Sequence, residues 1–371
     1  VQIKSLSVCN FRNLRSGNYC FGPGVNVFIG ANGQGKTSLI EACIIAAAGR
    51  SFRTSRLSEA ITFGSKLATV RVSFNDAIGL RCVGTTWGHR SSRLVEVDGK
   101  EEVKASSVVG LLPFVLFTPS DSDLVKGSSL ARRNLLDKHI VDVEPRIIDS
   151  VVRYRRAVRQ KLSLLKSGNA NSINILPWNL VLAREGAIIW RVKRKILRGI
   201  CERTSLMYKI LAPSEENLEV KIVSQLASDI LDSEIEAFFQ NKLQEGVLKE
   251  ISTGRVLIGP HRDDLNFLLD SHDMRVFASQ GQLRTAALAL KLASVGQIEQ
   301  ARGEPPLVFL DDVLSELDLF RVRALGAQLI ASSCQVFVTT TDLSYSSFDV
   351  PTKGNVFYEI ISGTINPSSI N

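Results

Sequence analysis

Apolar and polar residues alternate through the first eight positions, VQIKSLSV, as in a half-buried strand. A short apolar run at Val25–Ile29 reads as a second, more buried strand, and the SLIEACIIAAA stretch after Lys36-Thr37 reads as a helix. The segments Ala68–Phe74, Ala77–Val83 and Leu94–Val97 alternate or run apolar and predict an antiparallel β-lobe, with GHRSSR at Gly88–Arg93 as a hairpin tip. Further on the period changes. Val151, Tyr154, Val158, Leu162 and Leu165 recur at helical spacing, as do Ile189, Val192, Ile196 and Ile200. Gly168, Asn169 and Asn171 mark the connection KSGNANSINILPWN between these two amphipathic helices as a loop. Leu307–Leu310 is again a buried strand. The pattern predicts an α/β fold whose head is built from both chain ends, 1–118 and 251–371, around a helical insertion at 119–250.

With 371 residues the chain has room for two domains or one domain with an insertion. It has no run of eighteen apolar residues and no signal-peptide layout at its start, so the expected location is the cytoplasm. Six scattered cysteines without a CxxC pair predict reduced, mostly buried thiols rather than a zinc site. The net charge of +8 points weakly to a polyanionic partner. Its distribution says more. Between Arg153 and Lys209 only Glu185 and Glu202 oppose a dense series of arginines and lysines, a local excess larger than that of the whole chain. Arg153, Arg155, Arg156, Arg159, Lys193, Arg194, Lys195 and Arg198 are the candidate DNA contacts; such cations would neutralise backbone phosphates with little sequence readout. Few aromatics are interleaved, so base stacking is not expected.

Candidate chemistry begins at Gly30-Ala31-Asn32-Gly33-Gln34-Gly35-Lys36-Thr37, a GxxxxGK[ST] phosphate-binding loop in its strand–loop–helix context. The glycines let backbone N–H groups turn toward phosphate oxygens, and the helix N-terminus adds partial positive charge. Lys36 would neutralise the β- and γ-phosphates of ATP, and Thr37 would ligate Mg²⁺. The strand Leu307–Leu310 ends in Asp311-Asp312, a Walker B arrangement: Asp311 for the Mg²⁺ shell, Asp312 for the attacking water.

Ser279-Gln280-Gly281-Gln282 opens the apolar stretch LRTAALALKLA. One serine would suffice as an N-cap, so the second pair, Gly281-Gln282, reads as surplus to capping and as touching something other than its own helix. The four residues together resemble the signature motif of ATP-binding-cassette ATPases of the SMC kind, and Ser315-Glu316-Leu317-Asp318 resembles the D-loop of that class. NFRNL (10–14), GANGQGKTSLIEA (30–42), GRSFRT (49–54), RRNLLD (132–137), GPHRDDL (259–265), SQGQLRTAALALKLA, FLDDVLSELD and TTTD (339–342) together resemble the RecF family of bacterial repair proteins over nearly the whole length. The resemblance implies an ATP-dependent DNA-binding protein that favours gapped, single-stranded and junction DNA. It further implies a nucleotide-dependent homodimer with Ser279 reaching the partner's γ-phosphate, help in loading a recombinase, support of SOS induction, and partnership with RecR and RecO.

The chain departs from transporter-type cassettes. Asp312 stands where a glutamate is usual, which predicts slow hydrolysis; only Thr340 or Thr341 offers itself for the usual switch histidine; no Q-loop glutamine can be placed. A transporter ATPase subunit and a nuclease-complex subunit are the rival readings. The missing switch histidine argues against the first, and the short insertion without a zinc hook against the second. Arg12 would reach a nucleotide phosphate or ribose, or else support the sheet; Arg50 and Arg53 stand equally between nucleotide or DNA contact and a structural ion pair. His261 reads as a turn residue, and Asp263 and Asp264 as structural carboxylates.

Overall fold

The computed structural model describes residues 1–89, 93–102, 105–212, 215–341 and 355–368. Asp342 of the TTTD run and the centre of the GHRSSR tip, residues 90–92, lie outside the described residues. The strands are β1 (Gln2–Cys9), β2 (Gly17–Cys20), β3 (Val25–Ile29), β4 (Leu67–Asp76), β5 (Gly79–Gly88), β6 (Leu94–Val97), β7 (Lys100–Glu102), β8 (Phe114–Phe117), β9 (Leu218–Val223), β10 (Asp264–Leu269), β11 (His272–Asp273), β12 (Leu307–Asp311), β13 (Val336–Thr340), β14 (Val356–Ile361) and β15 (Thr364–Pro367).

Two compact units emerge. The first comprises Val1–Asp121, Met207–Glu215 and Ala287–Asn371; the second comprises Ser122–Leu206 and Glu216–Ala286. The sequence pattern places the second boundary at 250. The fold places it at 286, because β9 pairs along its whole length with β10, from Leu218↔Leu269 to Val223↔Asp264.

The first unit holds an antiparallel sheet ordered β2-β1-β4-β5-β6-β7 and a second sheet ordered β15-β14-β3-β13-β12-β8. In the second, β8, β12, β13, β3 and β14 run parallel, and β15 returns antiparallel. The helix Lys36–Ala48 packs against strands of both sheets. It is apolar around nearly its whole circumference, and Ser38–Ala47 are all buried, as a helix covered on both sides must be. Phe28 of β3 stacks on Phe337 and on Tyr358 from the two flanking strands. Buried Gln335 ties the layers together: its Oε1 accepts from Ile3 N at 2.7 Å, and its Nε2 donates to Ile3 O at 2.8 Å and Gly22 O at 2.7 Å. The predicted strand at Ala77 begins instead at Gly79, because Asp76 Oδ1 accepts from Ile78 N and Gly79 N and makes the turn.

The second unit is mainly helical, with Ser129–Val143, Ile148–Lys166, the greater part of the long helix Ser172–Leu211, Ile235–Glu245 and Val247–Thr253, beside the sheet β11-β10-β9. The connection predicted as the loop KSGNANSINILPWN is shorter. Asn171 Oδ1 accepts from Ile173 N at 3.0 Å and Asn174 N at 2.9 Å, capping a helix that starts at Ser172 and contains Pro177.

Candidate functional site

The glycine-rich loop Gly30–Gly35 joins β3 to the buried helix Lys36–Ala48. Gly33 and Gly35 take positive φ, 81° and 116°, which glycine alone adopts freely. At Gly30 the demand is space: a Cβ there would lie 2.5 Å from the carbonyl oxygen of Ile360 in β14. Lys36 is buried, and its Nζ donates to Gly30 O at 2.6 Å and Ala31 O at 3.1 Å. Burial lowers its pKa, against the opposing pull of the Asp312 and Asp311 carboxylates.

Thr37 Oγ1 donates to Asp311 Oδ1 at 3.0 Å, so the start of the helix meets the end of β12. Burial raises the Asp311 pKa; hydrogen bonds from Thr339 and Thr37 act against it. Asp312 sits in the left-handed region at φ 54°, and its N–H donates to Thr339 Oγ1 at 3.0 Å. Thr339 Oγ1 also reaches Asp311 Oδ1 at 2.9 Å. Thus Thr339 of β13, one position before the two threonines offered by the sequence pattern, touches both aspartates. Ser315 Oγ donates back to Asp312 O at 3.0 Å, and Asp318 caps the helix Leu319–Ala331 by accepting from Arg321 N at 2.9 Å.

Three residues around the loop escaped sequence reasoning. Asn13 Nδ2 donates to Gly33 O at 2.7 Å and its Oδ1 accepts from Ser38 Oγ at 2.9 Å, clamping loop to helix. On the other side Ser362 N donates to Gln34 Oε1 and Gly363 N to Gln34 O. Gly363 itself accepts from Arg15 N at 2.8 Å. Ala31 and Asn32 lie in the same loop, and Asn32 is exposed. The only signal of these three in the sequence is the NFRNL motif containing Asn13.

Arg12 has a partner inside the protein. Its guanidinium forms a two-pronged ion pair with buried Glu41, at 3.0 and 2.8 Å, and donates to Glu59 O. Arg53 and Ser51 engage the same carboxylate.

In the second unit, Ser279 and Gln282 form a reciprocal capping box. Gln282 N donates to Ser279 Oγ at 3.3 Å, and Gln282 Oε1 accepts from Ser279 N at 2.7 Å. Gln282 is therefore not surplus to capping, and its Nε2 further donates to Glu216 at 2.6 Å. Gln280 and Gly281 remain exposed, and a Cβ at Gly281 would meet nothing closer than 4.0 Å.

The eight candidate DNA cations divide evenly. Arg153 is held by Glu185, Arg155 by Asp137, and Arg194 by Asp232 and Ile230 O. Lys193 is buried and donates to Pro260 O at 2.7 Å, with Asp137 at 3.3 Å. Arg156, Arg159, Lys195 and Arg198 are exposed, with no partner among the described residues. His261 and Asp263 both find partners within the second unit. Tyr154 OH lies 2.6 Å from His261 Nδ1, while Asp263 accepts from Trp190 Nε1 at 3.0 Å and Ser224 Oγ at 2.7 Å. Asp264 holds Arg132 through two hydrogen bonds. Among the described residues, no helix is long and apolar enough to cross a membrane.

Comparison with known proteins places the chain in a family. The model of the RecF/RecN/SMC N-terminal domain matches residues 2–349. The DNA replication and repair protein RecF of Heliobacterium modesticaldum is 33% identical over 374 residues, covering 100% of both chains. That of Lactobacillus acidophilus is 36% identical over 97% of each. A solved structure of the recombination mediator protein RecF with ATP, from the RecFOR pathway, is 29% identical over 99% of this chain and 98% of its own, with a TM-score of 0.87. The head of an Smc protein bound to ScpA, 16% identical with a TM-score of 0.59, shares the fold over 99% of this chain and 97% of its own. The family model over residues 2–349, relatives matched along their full length and a solved structure of the same fold show that the chain belongs to the RecF family of SMC-like, ABC-type ATPases.

Proposed function

We propose that this chain is an ATP-dependent DNA-binding protein of recombinational repair and replication restart. In this reading it binds single-stranded, gapped or junction DNA, dimerises on ATP, helps load a recombinase and supports the SOS response. It works in the cytoplasm with RecR and RecO. The relatives' roles in DNA replication and repair and in the RecFOR pathway support this assignment.

The observation that carries the ATPase reading is the 3.0 Å contact between Thr37 Oγ1 and Asp311 Oδ1 beside the buried Lys36 ammonium. Two hard oxygen donors this close fit Mg²⁺, and a buried carboxylate whose pKa is raised gains from a cation at its side. Bound with the nucleotide, Mg²⁺ would neutralise charge on the β- and γ-phosphates. Backbone N–H groups of the Gly30–Gly35 loop, with Thr37 at the helix start, orient the phosphates; Lys36 exchanges its loop carbonyl partners for phosphate oxygens. Asp312, positioned through its own N–H by Thr339, orients the attacking water and accepts its proton. Its side chain is one methylene shorter than glutamate, so hydrolysis is slow.

Ser279, with exposed Gln280 and Gly281 at the start of a helix, contributes to the γ-phosphate of a second protomer, and Ser315 and Asp318 line the same contact; Gln282 supports Ser279 through the capping box. DNA falls to Arg156, Arg159, Lys195 and Arg198. Light scattering with ATP tests the scheme. Wild type should double in mass, while Lys36→Met and Ser279→Arg remain monomeric. A Ser279→Arg variant that doubles normally would remove the second-protomer contact from the mechanism.

A further inference from the structure

The long helix Ser172–Leu211 begins with roughly three turns that are apolar on two opposite faces. One face, with Ile175, Asn179, Leu182 and Ala183, is buried in the second unit. On the other, Ile173, Leu176, Pro177, Leu180, Val181 and Arg184 recur at spacings of three and four, and so share a side. All six are exposed; Ile173 is 84% exposed, Leu176 54% and Leu180 48%. Asn171 fixes where this helix starts, so the outer face is an organised surface. A helix that is apolar all round is normally covered all round. An exposed apolar face of several large side chains marks an interaction site.

Charge identifies the occupant. From Ser150 through Arg184 the sequence contains no aspartate or glutamate. Arg184 lies on the apolar face, and Lys166 ends the preceding helix; both are exposed and have no partner among the described residues. A phosphate backbone would use these cations but leave the leucines wet. An apolar partner face would use the leucines but leave the cations unanswered. A segment with leucine-like residues on one side and carboxylates at its rim satisfies both. We propose that the exposed face of residues 173–184 docks an acidic amphipathic segment of a partner protein.

The test uses the full chain and a fluorescein-labelled eighteen-residue peptide designed with leucines at helical spacing and glutamates elsewhere. Fluorescence anisotropy should show saturable binding. Leu176→Ser/Leu180→Ser should weaken it at least tenfold, and Arg184→Glu several-fold, with circular dichroism and melting temperature held near wild type in both. A glutamate-rich peptide without the leucines should bind poorly. Peptide binding unchanged in both variants overturns the proposal. So does light scattering in which wild type self-associates through this face without ATP and the serine variant does not, because the occupant is then a second copy. Loss of oligonucleotide binding in the serine variant with peptide binding intact overturns it in favour of DNA. The assay needs neither nucleotide nor dimer, so its failure is separable from failure of the ATPase reading.

Discussion

Arg12 shows how a residue's role is decided by what it finds nearby. It follows Phe11, sits at φ 50°, and spreads its guanidinium over a carboxylate that has no access to solvent. Removing it strands part of the Glu41 charge, although Arg53 remains. Arg12→Ala should therefore lower unfolding stability by about 1.5–3 kcal/mol, the range for hydrogen bonds to charged groups, measurable as a shift in urea midpoint. If Arg12 supports the sheet, ATP affinity at a temperature where the variant is folded should change little; a tenfold decrease would place the side chain on the nucleotide instead. His261 makes the second prediction at this scale. Burial pushes its pKa down to about 4, and Arg262, Lys193 and Arg133 push the same way. Nδ1 of the neutral ring lies 2.6 Å from Tyr154 OH. A depressed histidine pKa stabilises the fold at high pH and loses that contribution as pH falls through the window from about 6.5 to 4. The unfolding free energy of wild type minus that of His261→Gln should thus grow from pH 4 to 6.5, by roughly 2–3 kcal/mol, and then level off. Asp263, raised to about 6 by burial, acts with the opposite sign in both proteins and cancels in the difference. The loop residues and paired aspartates were legible in the sequence because each lies inside a contiguous motif. The contacts of Thr339, although it lies in the TTTD run, and of Ser362 were not, because the atoms they bond lie far away along the chain.

Among the elements, those that follow a single period were readable: β3, the helix after it and β12 stand close to where the apolar runs place them. β9 was not. Its LEVKIV pattern lies among helical segments, and its partner strand is some forty residues later. The start of the long helix was hidden because Asn171, read with Gly168 and Asn169 as a loop residue, is in fact its cap. The capping box at Ser279 carries a lesson about sufficiency: one serine can cap, yet here Gln282 completes the pair. Gly30 sets the tightest tolerance between elements. Gly30→Ala would press a methyl group on the Ile360 carbonyl and force β3 and β14 apart, at a cost of about 1–3 kcal/mol. We expect a lower melting temperature together with weakened ATP binding by calorimetry. Weakened binding with unchanged stability would mean that the glycine serves the ligand alone.

For the whole molecule, charge counting overstates the free positive surface. The dense basic segment is partly neutralised internally: Arg153, Arg155, Lys161, Lys193 and Arg194 answer carboxylates of the same unit. Replacing Arg156, Arg159, Lys195 and Arg198 together with alanine should weaken duplex binding and flatten the dependence of log affinity on log salt, by up to about 0.9 for each phosphate no longer neutralised. ATP-dependent mass doubling should persist. An unchanged slope would move the DNA elsewhere on the surface. The position of β3 has another consequence. This strand of residues 25–29 is flanked by β13 and β14, drawn from residues 336–361. During synthesis it must wait, unpaired on both edges, while more than three hundred further residues leave the ribosome. The loop that follows β3 therefore cannot be framed before β13 and β14 emerge, and an apolar strand ready for mispairing is exposed throughout that interval. Ribosome-bound chaperones would be expected to matter more for this protein than for one whose phosphate loop is completed by its nearest neighbours.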